Sequence, residues 1–413
     1  MKNTALSLLL LFFTGTAFCA DVFIGVEAQA EIRKPTISLE AFKSAEKDSM
    51  QADIFYDAVR SDLYNSRYFN INEDQTPSVT SDFVADGEIR PADDKKWLFT
   101  GTLYEKAEKG KKPVFRKSYK SDEKGLRRSA HLFADEIIFK ATGNKGIAHT
   151  RIAFANNGTG KKEIYIADYD GENVKKVTSD KSINLLPKWS ADGSRIYYTT
   201  YRYGNPDMYE ANLKTGKIQP FSTFQGLNIP GGLSPDGLTL VMTASRGKDP
   251  NIYALDIVTK SVKPLLEQKY GITSSPTWSP DGKEVAFVSD RSGNPQIHIL
   301  NVETKKIRKL TGMNWCDSPA WSPDGSKIVF SGRETVKEKF NIFVSDLTGS
   351  KIVRLTVKAG NNENPVWSPD GRFIAFTSTR NGRKQVFVMD ADGSAPHALV
   401  DIPGSSYTPS WSN

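Results

Sequence analysis

A five-residue anchor returns at almost even spacing and restricts this chain more than any other feature. Trp189-Ser-Ala-Asp-Gly193, Leu233-Ser-Pro-Asp-Gly237, Trp278-Ser-Pro-Asp-Gly282, Trp321-Ser-Pro-Asp-Gly325 and Trp367-Ser-Pro-Asp-Gly371 precede a truncated copy, Trp411-Ser-Asn413. The steps between anchors are 44, 45, 43, 46 and 44 residues. That period is the length of one four-stranded propeller blade. Regular intervals of this kind argue against a β-sandwich with coincidental turns.

Each unit reads as strands joined by turns. In one, Ser275–Trp278 is an inner strand and Pro280-Asp-Gly282 a tight turn. Glu284–Val288, Gln296–Val302 and Ile307–Leu310 follow as the second, third and fourth strands. Asp-Gly recurs between strands because it supplies a positive φ that most pairs reach only with strain. Trp411 opens a blade that has no following strands. The matching strands stand earlier, at Thr150–Phe154, Glu163–Ala167 and Val174–Val177. The C-terminal strand is therefore expected to complete the first blade, closing a ring of six and leaving no bare edge.

Residues 21–144 lack the repeat. Helical spacing runs through Met50–Tyr68 (Ala52, Phe55, Val59, Leu63) and through Leu126–Ala141, which stops at Gly143. Trp97–Tyr104 and Val114–Tyr119 read as strands between them. The expected architecture is mainly β: a six-bladed β-propeller over 145–413 behind a small N-terminal α/β domain over 21–144. The basic stretch Lys106–Arg128 reads as a solvated hairpin face rather than a binding patch.

Residues 1–20 read as a signal peptide. Lys2 is the positive region, Ala5–Phe13 an unbroken apolar run too short to span a bilayer, and Thr14-Gly15-Thr16-Ala17 a small-residue segment. Cleavage is expected at Ala17 or Ala20, and Phe18 before Cys19 spoils a lipoprotein-type site. No other apolar stretch approaches membrane length, so a soluble exported protein is expected. Of the two cysteines, Cys19 leaves with the leader or sits at the extreme end. Cys316 then has no internal partner, and the fold must hold by burial.

Among 413 residues, 38% are hydrophobic and 25% charged, with a formal charge of +7. This describes a soluble globular chain. No Lys/Arg run interleaves with aromatics, so nucleic-acid binding is not expected. The four histidines, His131, His149, His298 and His397, stand one per segment without metal-ligand spacing, and no G-x-S-x-G elbow occurs. Asp168-Tyr-Asp170-Gly171 and Asp390-Ala-Asp392-Gly393 open like calcium loops but lack the closing Glu, and read as hairpin turns. No catalytic residue, cofactor, metal or small-molecule substrate is expected.

Recognition is better supported. With strands a to d in each blade, b–c loops and d–a connections emerge on one face, and the Pro-Asp-Gly a–b turns on the other. The d–a connections surround the channel mouth and carry varied polar residues: Asn184, Asn228, Thr273, Ser274, Asp317, Asn362, Glu363 and Tyr407. The b–c loops on that face carry Arg202, Arg246, Arg291, Arg333 and Arg380. Loops on a rigid scaffold are where recognition sits, and arginines can present paired donors to a partner's carboxylates. The competing reading is that each Arg ties its own loop to an Asp or to the next blade.

The joint between the domains carries the most specific pattern: His131-Leu-Phe-Ala-Asp-Glu-Ile-Ile138, Thr142-Gly-Asn-Lys-Gly146 and Thr150-Arg-Ile-Ala-Phe154. These stretches, with the W-S-P-D-G anchors, resemble the TolB family of the Tol–Pal envelope system over essentially the whole chain. The departures are Leu233 and Ala191 within the anchors and a poor fit from Thr76 to Asp94. The resemblance implies a periplasmic monomeric adaptor. Its propeller loop face would bind the peptidoglycan-associated lipoprotein Pal, and its N-terminal domain would communicate with inner-membrane TolA, serving envelope integrity and division. It further implies that the segment Asp21, Val22, Phe23 and Ile24 couples the two ends, and that Asn228 with Ile229–Gly232 lies by the Pal-binding surface. The competing functions are an exported propeller lyase or hydrolase and a glycan-binding sensor using the channel.

Overall fold

The computed structural model describes residues 33–44, 50–72, 81–246, 249–266 and 271–413. The expected signal peptide and the segment Asp21–Ile24 lie outside the described residues. Six four-stranded sheets form the ring. Five are continuous in sequence, each with its strands in chain order. The sixth has the order Ser406–Trp411, Arg151–Asn156, Glu163–Asp168, Lys175–Lys176, so the last strand completes the first blade.

The closing pair is antiparallel, with Ser406 opposite Asn156 and Trp411 opposite Ile152. Asn156 Nδ2 donates to Ser406 Oγ at 3.0 Å, and Arg151 N to Ser412 Oγ at 2.9 Å. Trp411 is 7% exposed, and its indole donates to Thr150 Oγ1 at 2.9 Å. Both ends of the ring are held by backbone pairing and by side chains at once.

The anchor's chemistry explains its recurrence. In Ser279-Pro-Asp-Gly282 the Ser279 hydroxyl donates to Asp281 Oδ1 at 2.6 Å and accepts from Glu284 N at 2.9 Å. Gly282 takes φ 71°, in the left-handed region. Ser190 with Asp192, Ser234 with Asp236, Ser322 with Asp324 and Ser368 with Asp370 repeat the bond. Two of the tryptophans join neighbouring blades, Trp189 Nε1 donating to Ser410 O at 2.9 Å and Trp367 Nε1 to Ala320 O at 3.2 Å, whereas the buried indole nitrogens of Trp278 and Trp321 have no partner among the described residues. Leu233 has no such donor.

Each inner strand also breaks its register at one place. Leu186, Ser275, Ser318, Asn364 and Thr408 take φ between 49° and 55°, and each directly precedes a proline. Register shifts fall at these points, between Leu185 and Lys188 in the second blade for example. A left-handed residue with a side chain costs about 1 kcal/mol or more. Five identical placements show that ring geometry outweighs that cost.

The N-terminal domain is a six-stranded sheet under two helices. The strand order is Asn70–Asn72, Thr36–Leu39, Phe83–Ala92, Lys96–Ala107, Gly110–Ser121, with Lys43–Ser44 on Phe83–Ala92. Helices α1 (Met50–Asn65) and α2 (Leu126–Thr142) bury Phe55, Leu63, Phe133 and Ile137 against Phe99 and Leu103. Gly143 ends α2 at φ 74°, its N–H returning to Phe139 O. Strand Phe83–Ala92 is not among the strands expected from the sequence, and it carries Gly87 and Pro91, two residues disfavoured inside a strand. Tertiary packing overrides both: a Cβ at Gly87 would stand 2.6 Å from the Phe99 ring, so the glycine makes room for an aromatic core.

A buried polar joint locks the two domains. Asp62 on α1 accepts from His131 Nδ1 on α2 at 2.7 Å and from Tyr169 OH of the first blade at 2.8 Å. Arg127 pairs with Asp170, and Arg372 reaches Ser66 O while stacking 3.9 Å over Tyr68. Asp370, Arg372 and Phe373 belong to an a–b turn, and Asp168–Asp170 to a c–d turn. The α/β domain therefore sits on the Pro-Asp-Gly side of the ring.

Candidate functional site

The face away from the α/β domain carries the b–c loops and d–a connections. Four of its expected rim residues lie beneath the surface. Asn184, Asn228, Thr273 and Asn362 are each 0% exposed. Asn228 accepts from Ser222 Oγ at 2.9 Å and donates to Phe224 O at 2.6 Å and Gly226 O at 3.1 Å. Asn184 Nδ2 donates to Glu163 Oε2 at 3.0 Å and Asp180 Oδ1 at 2.8 Å. Thr273 donates to Pro250 O, and Asn362 accepts from Ser378 Oγ at 2.8 Å. Each occupies the first position of an inner strand, where it fastens the incoming connection to its blade. A burial-driven hydrogen-bonding role replaces surface exposure at these four positions.

Ser274, Asp317, Glu363 and Tyr407 are half-buried. Burial pushes the Asp317 carboxyl above its ordinary range, although Ser318 N at 2.6 Å and Ser275 Oγ at 3.2 Å donate to it. Glu363 accepts from Lys384 Nζ at 2.6 Å, and Lys162 stands 4.7 Å over the Tyr407 ring.

Arg202, Arg246, Arg291 and Arg380 lie two residues beyond the ends of their b strands and Arg333 is the last residue of its own, around this same face. Their anchors are aromatic rings and neutral oxygens. Arg246 lies 4.5 Å over Phe224, Arg291 5.4 Å over Phe287, Arg333 5.5 Å over Trp315 and Arg380 4.6 Å over Phe387. Arg291 Nε donates to Ser289 Oγ, Arg333 Nε to Asn314 Oδ1 and Arg380 Nε to Ser378 Oγ. Among the described residues, Arg202 alone of the five comes near a carboxylate, Asp180 at 3.9 Å. Burial without a counter-ion pulls Arg291 and Arg380 below the usual guanidinium range. Of the competing reading, a tie to an Asp or to the next blade, the acidic tie is found only at Arg202, while Arg246 reaches Phe224 of the connection from the neighbouring blade. Aromatic stacking fixes the others and leaves their charge unanswered.

The opposite end holds a cavity of about 600 Å³ along the ring axis, opening among Ala191, Pro235, Pro280, Pro323 and Pro369 of the anchor turns. From the sequence the channel is expected only as a competing glycan-binding site, with no residue at this end assigned to it. Its signal is the recurring proline two residues before each anchor Trp: Pro187, Pro276, Pro319, Pro365 and Pro409.

Asp62, His131 and Asp170 bring ligand atoms within 4.8 Å of one another, a spacing that could hold a metal ion. Their donors are already engaged. Asp62 takes His131 and Tyr169, Asp170 takes Arg127, and the Arg127 guanidinium repels a cation. Burial opposes charge on His131, but Asp168, Asp62 and Asp170 outweigh it and lift the imidazole to about 9. Burial raises Asp62 despite its donors, whereas His131 and Asn173 hold Asp168 low against burial. The cluster is an ionic joint. His149 is held by Asp135 at 2.6 Å, His298 stacks on Phe287, and His397 lies exposed. Asp168-Tyr-Asp-Gly171 and Asp390-Ala-Asp-Gly393 are turns, closed by Gly171 N to Asp168 O and Gly393 N to Asp390 O.

Fold and faces together define a six-bladed propeller carrying an α/β domain on its anchor-turn side. A family model described as the TolB beta propeller domain matches residues 139–316 and 305–413. The chain belongs to the TolB propeller family. The crystal structure of TolB from Acinetobacter baumannii is similar over 92% of this chain and 97% of that one, with a TM-score of 0.77 and 25% identity. The Tol-Pal system protein TolB of Desulfosudis oleivorans is 42% identical over 91 residues, covering 22% of this chain and 21% of that protein. A TolB homolog of Chlorobaculum tepidum is 37% identical over 142 residues, covering 34% of this chain and 32% of that protein. The matched part thus spans about a third or less of these two relatives.

Proposed function

We propose that this protein is a non-catalytic periplasmic component of the Tol–Pal system, an adaptor that joins an outer-membrane, peptidoglycan-associated lipoprotein of the Pal type to inner-membrane TolA. Envelope integrity and cell division are the processes it serves. Family membership and likeness to a TolB structure along nearly the whole chain support the system. One observation carries the docking face: the ring of Arg202, Arg246, Arg291, Arg333 and Arg380, of which only Arg202 has a carboxylate within 4 Å among the described residues. Guanidinium groups held over aromatic rings have lost rotamer freedom in advance. They are set to take carboxylates from an acidic partner at reduced entropic cost. Half-buried Ser274, Asp317, Glu363 and Tyr407 supply the polar contacts inside that ring.

The test is binding of the purified peptidoglycan-binding domain of a Pal-type lipoprotein to the full chain. Arg291→Gln, Arg333→Gln and Arg380→Gln together are expected to weaken affinity by at least about tenfold and to flatten its salt dependence. The melting temperature should stay near that of the wild type. Unchanged affinity in the triple variant refutes the assignment of this face.

A further inference from the structure

Lys188 is the one charged side chain lining the axial cavity among the described residues, and nothing answers its charge. It stands on the inner strand Asn184–Trp189, one residue before the anchor tryptophan. The equivalent positions in the other five blades are Gly232, Thr277, Ala320, Val366 and Ser410, all uncharged. No carboxylate among the described residues lies within 4 Å of its ammonium, and burial alone pulls the group down to about 8.

Charged groups on the strands packed around it are engaged elsewhere. Arg195 pairs with Glu210 at 3.2 Å, and Arg151 donates to Gly193 O at 2.8 Å while lying over Trp189. Glu163 accepts from Lys181 N at 2.9 Å and Asn184 Nδ2 at 3.0 Å as well as from Thr178. Toward the other mouth, Asp317 is taken by Ser275 and Ser318.

A partly desolvated ammonium in a cavity of about 600 Å³ gains most from a single negative charge. The volume is that of a small-molecule site, and the wall of prolines and hydroxyls offers no second cation for a polyanion. We propose that the channel binds a small organic acid whose carboxylate rests against Lys188. The site is centred on Lys188 toward the anchor-turn side of the ring, and Ser274 is the one docking-face residue that also lines the cavity. Entry among the anchor turns, beside the α/β domain, would let occupancy be felt at the domain joint.

Calorimetric titration of the full chain with glucuronate, and with glucose as its neutral counterpart, tests this. Wild type is expected to bind glucuronate at least about tenfold more tightly than glucose, with the preference constant from pH 6 to 7.5. The preference should fall several-fold between pH 8 and 9 as the ammonium deprotonates. Lys188→Arg should keep the preference. Lys188→Met should abolish it without lowering the melting temperature, which shows that the loss is not misfolding. Equal binding of the two sugars by wild type, or an undiminished preference in Lys188→Met, overturns the proposal. So does binding only when the carboxylate belongs to a docked acidic protein.

Discussion

Replacing His131 with Asn tests how charge holds the α/β domain to the ring. Asn can still donate to Asp62 but cannot carry the proton that His131 shares among Asp62, Asp168 and Asp170. In the folded protein the imidazole is lifted from 6.5 to about 9. A group raised in this way stabilises fully below its unfolded value, and the contribution is lost as pH climbs through the folded one. The shift corresponds to roughly 3 kcal/mol at pH 6 and to a few tenths by pH 9.5. Asp62, also raised, loosens the joint in the same direction. Asp168 is held low, and its contribution disappears only in acid. Both helices of the described chain lie in the α/β domain, so urea unfolding followed by helical circular dichroism at the two pH values reads that domain. His131→Asn should lose roughly 3 kcal/mol relative to wild type at pH 6 and about 1 or less at pH 9.5. An equal deficit at both pH values refutes a role for the charge and leaves only lost packing.

Two further substitutions examine the ring and the sheet. Trp411→Ala removes the buried indole that fastens the closing strand to Thr150, and should cost about 3–5 kcal/mol by calorimetry. A melting temperature within a degree of wild type would show that closure does not depend on it. Gly101→Ala would place a Cβ 2.4 Å from the Phe133 ring and 2.8 Å from Phe99. About 1–3 kcal/mol should be lost in urea, and no loss would mean that the aromatic core yields freely.

The ring was legible because its anchor is a local chemical device. Serine, aspartate and glycine close a turn by themselves within five residues, so period and blade count can be read from the chain alone. The two helices were equally plain from the spacing of Phe55, Val59, Phe133 and Ile137. What the sequence concealed depends on distant partners. Strand Phe83–Ala92 owes its place to neighbours on both sides and to the Phe99 ring over Gly87. Polar identity at Asn184, Asn228, Thr273 and Asn362 suggested a rim, yet their oxygens and nitrogens serve the chain's own connections. Lys188 looked like any strand lysine until the ring set it on the axis. The arginines recur at the ends of the b strands, as the repeat implies, but their aromatic supports emerge only from packing between strands and connections.

The account stands most directly on which end of the ring meets the partner. Hydrogen exchange of the full chain, alone and with a purified Pal-type peptidoglycan-binding domain, measures this without altering any residue. Protection should gather on the loops bearing Arg246, Arg291, Arg333 and Arg380 and on the connections leading to Ser274, Asp317, Glu363 and Tyr407. The Ser-Pro-Asp-Gly turns should exchange unchanged. Protection confined to those turns, or none on either face at saturating partner, contradicts the account.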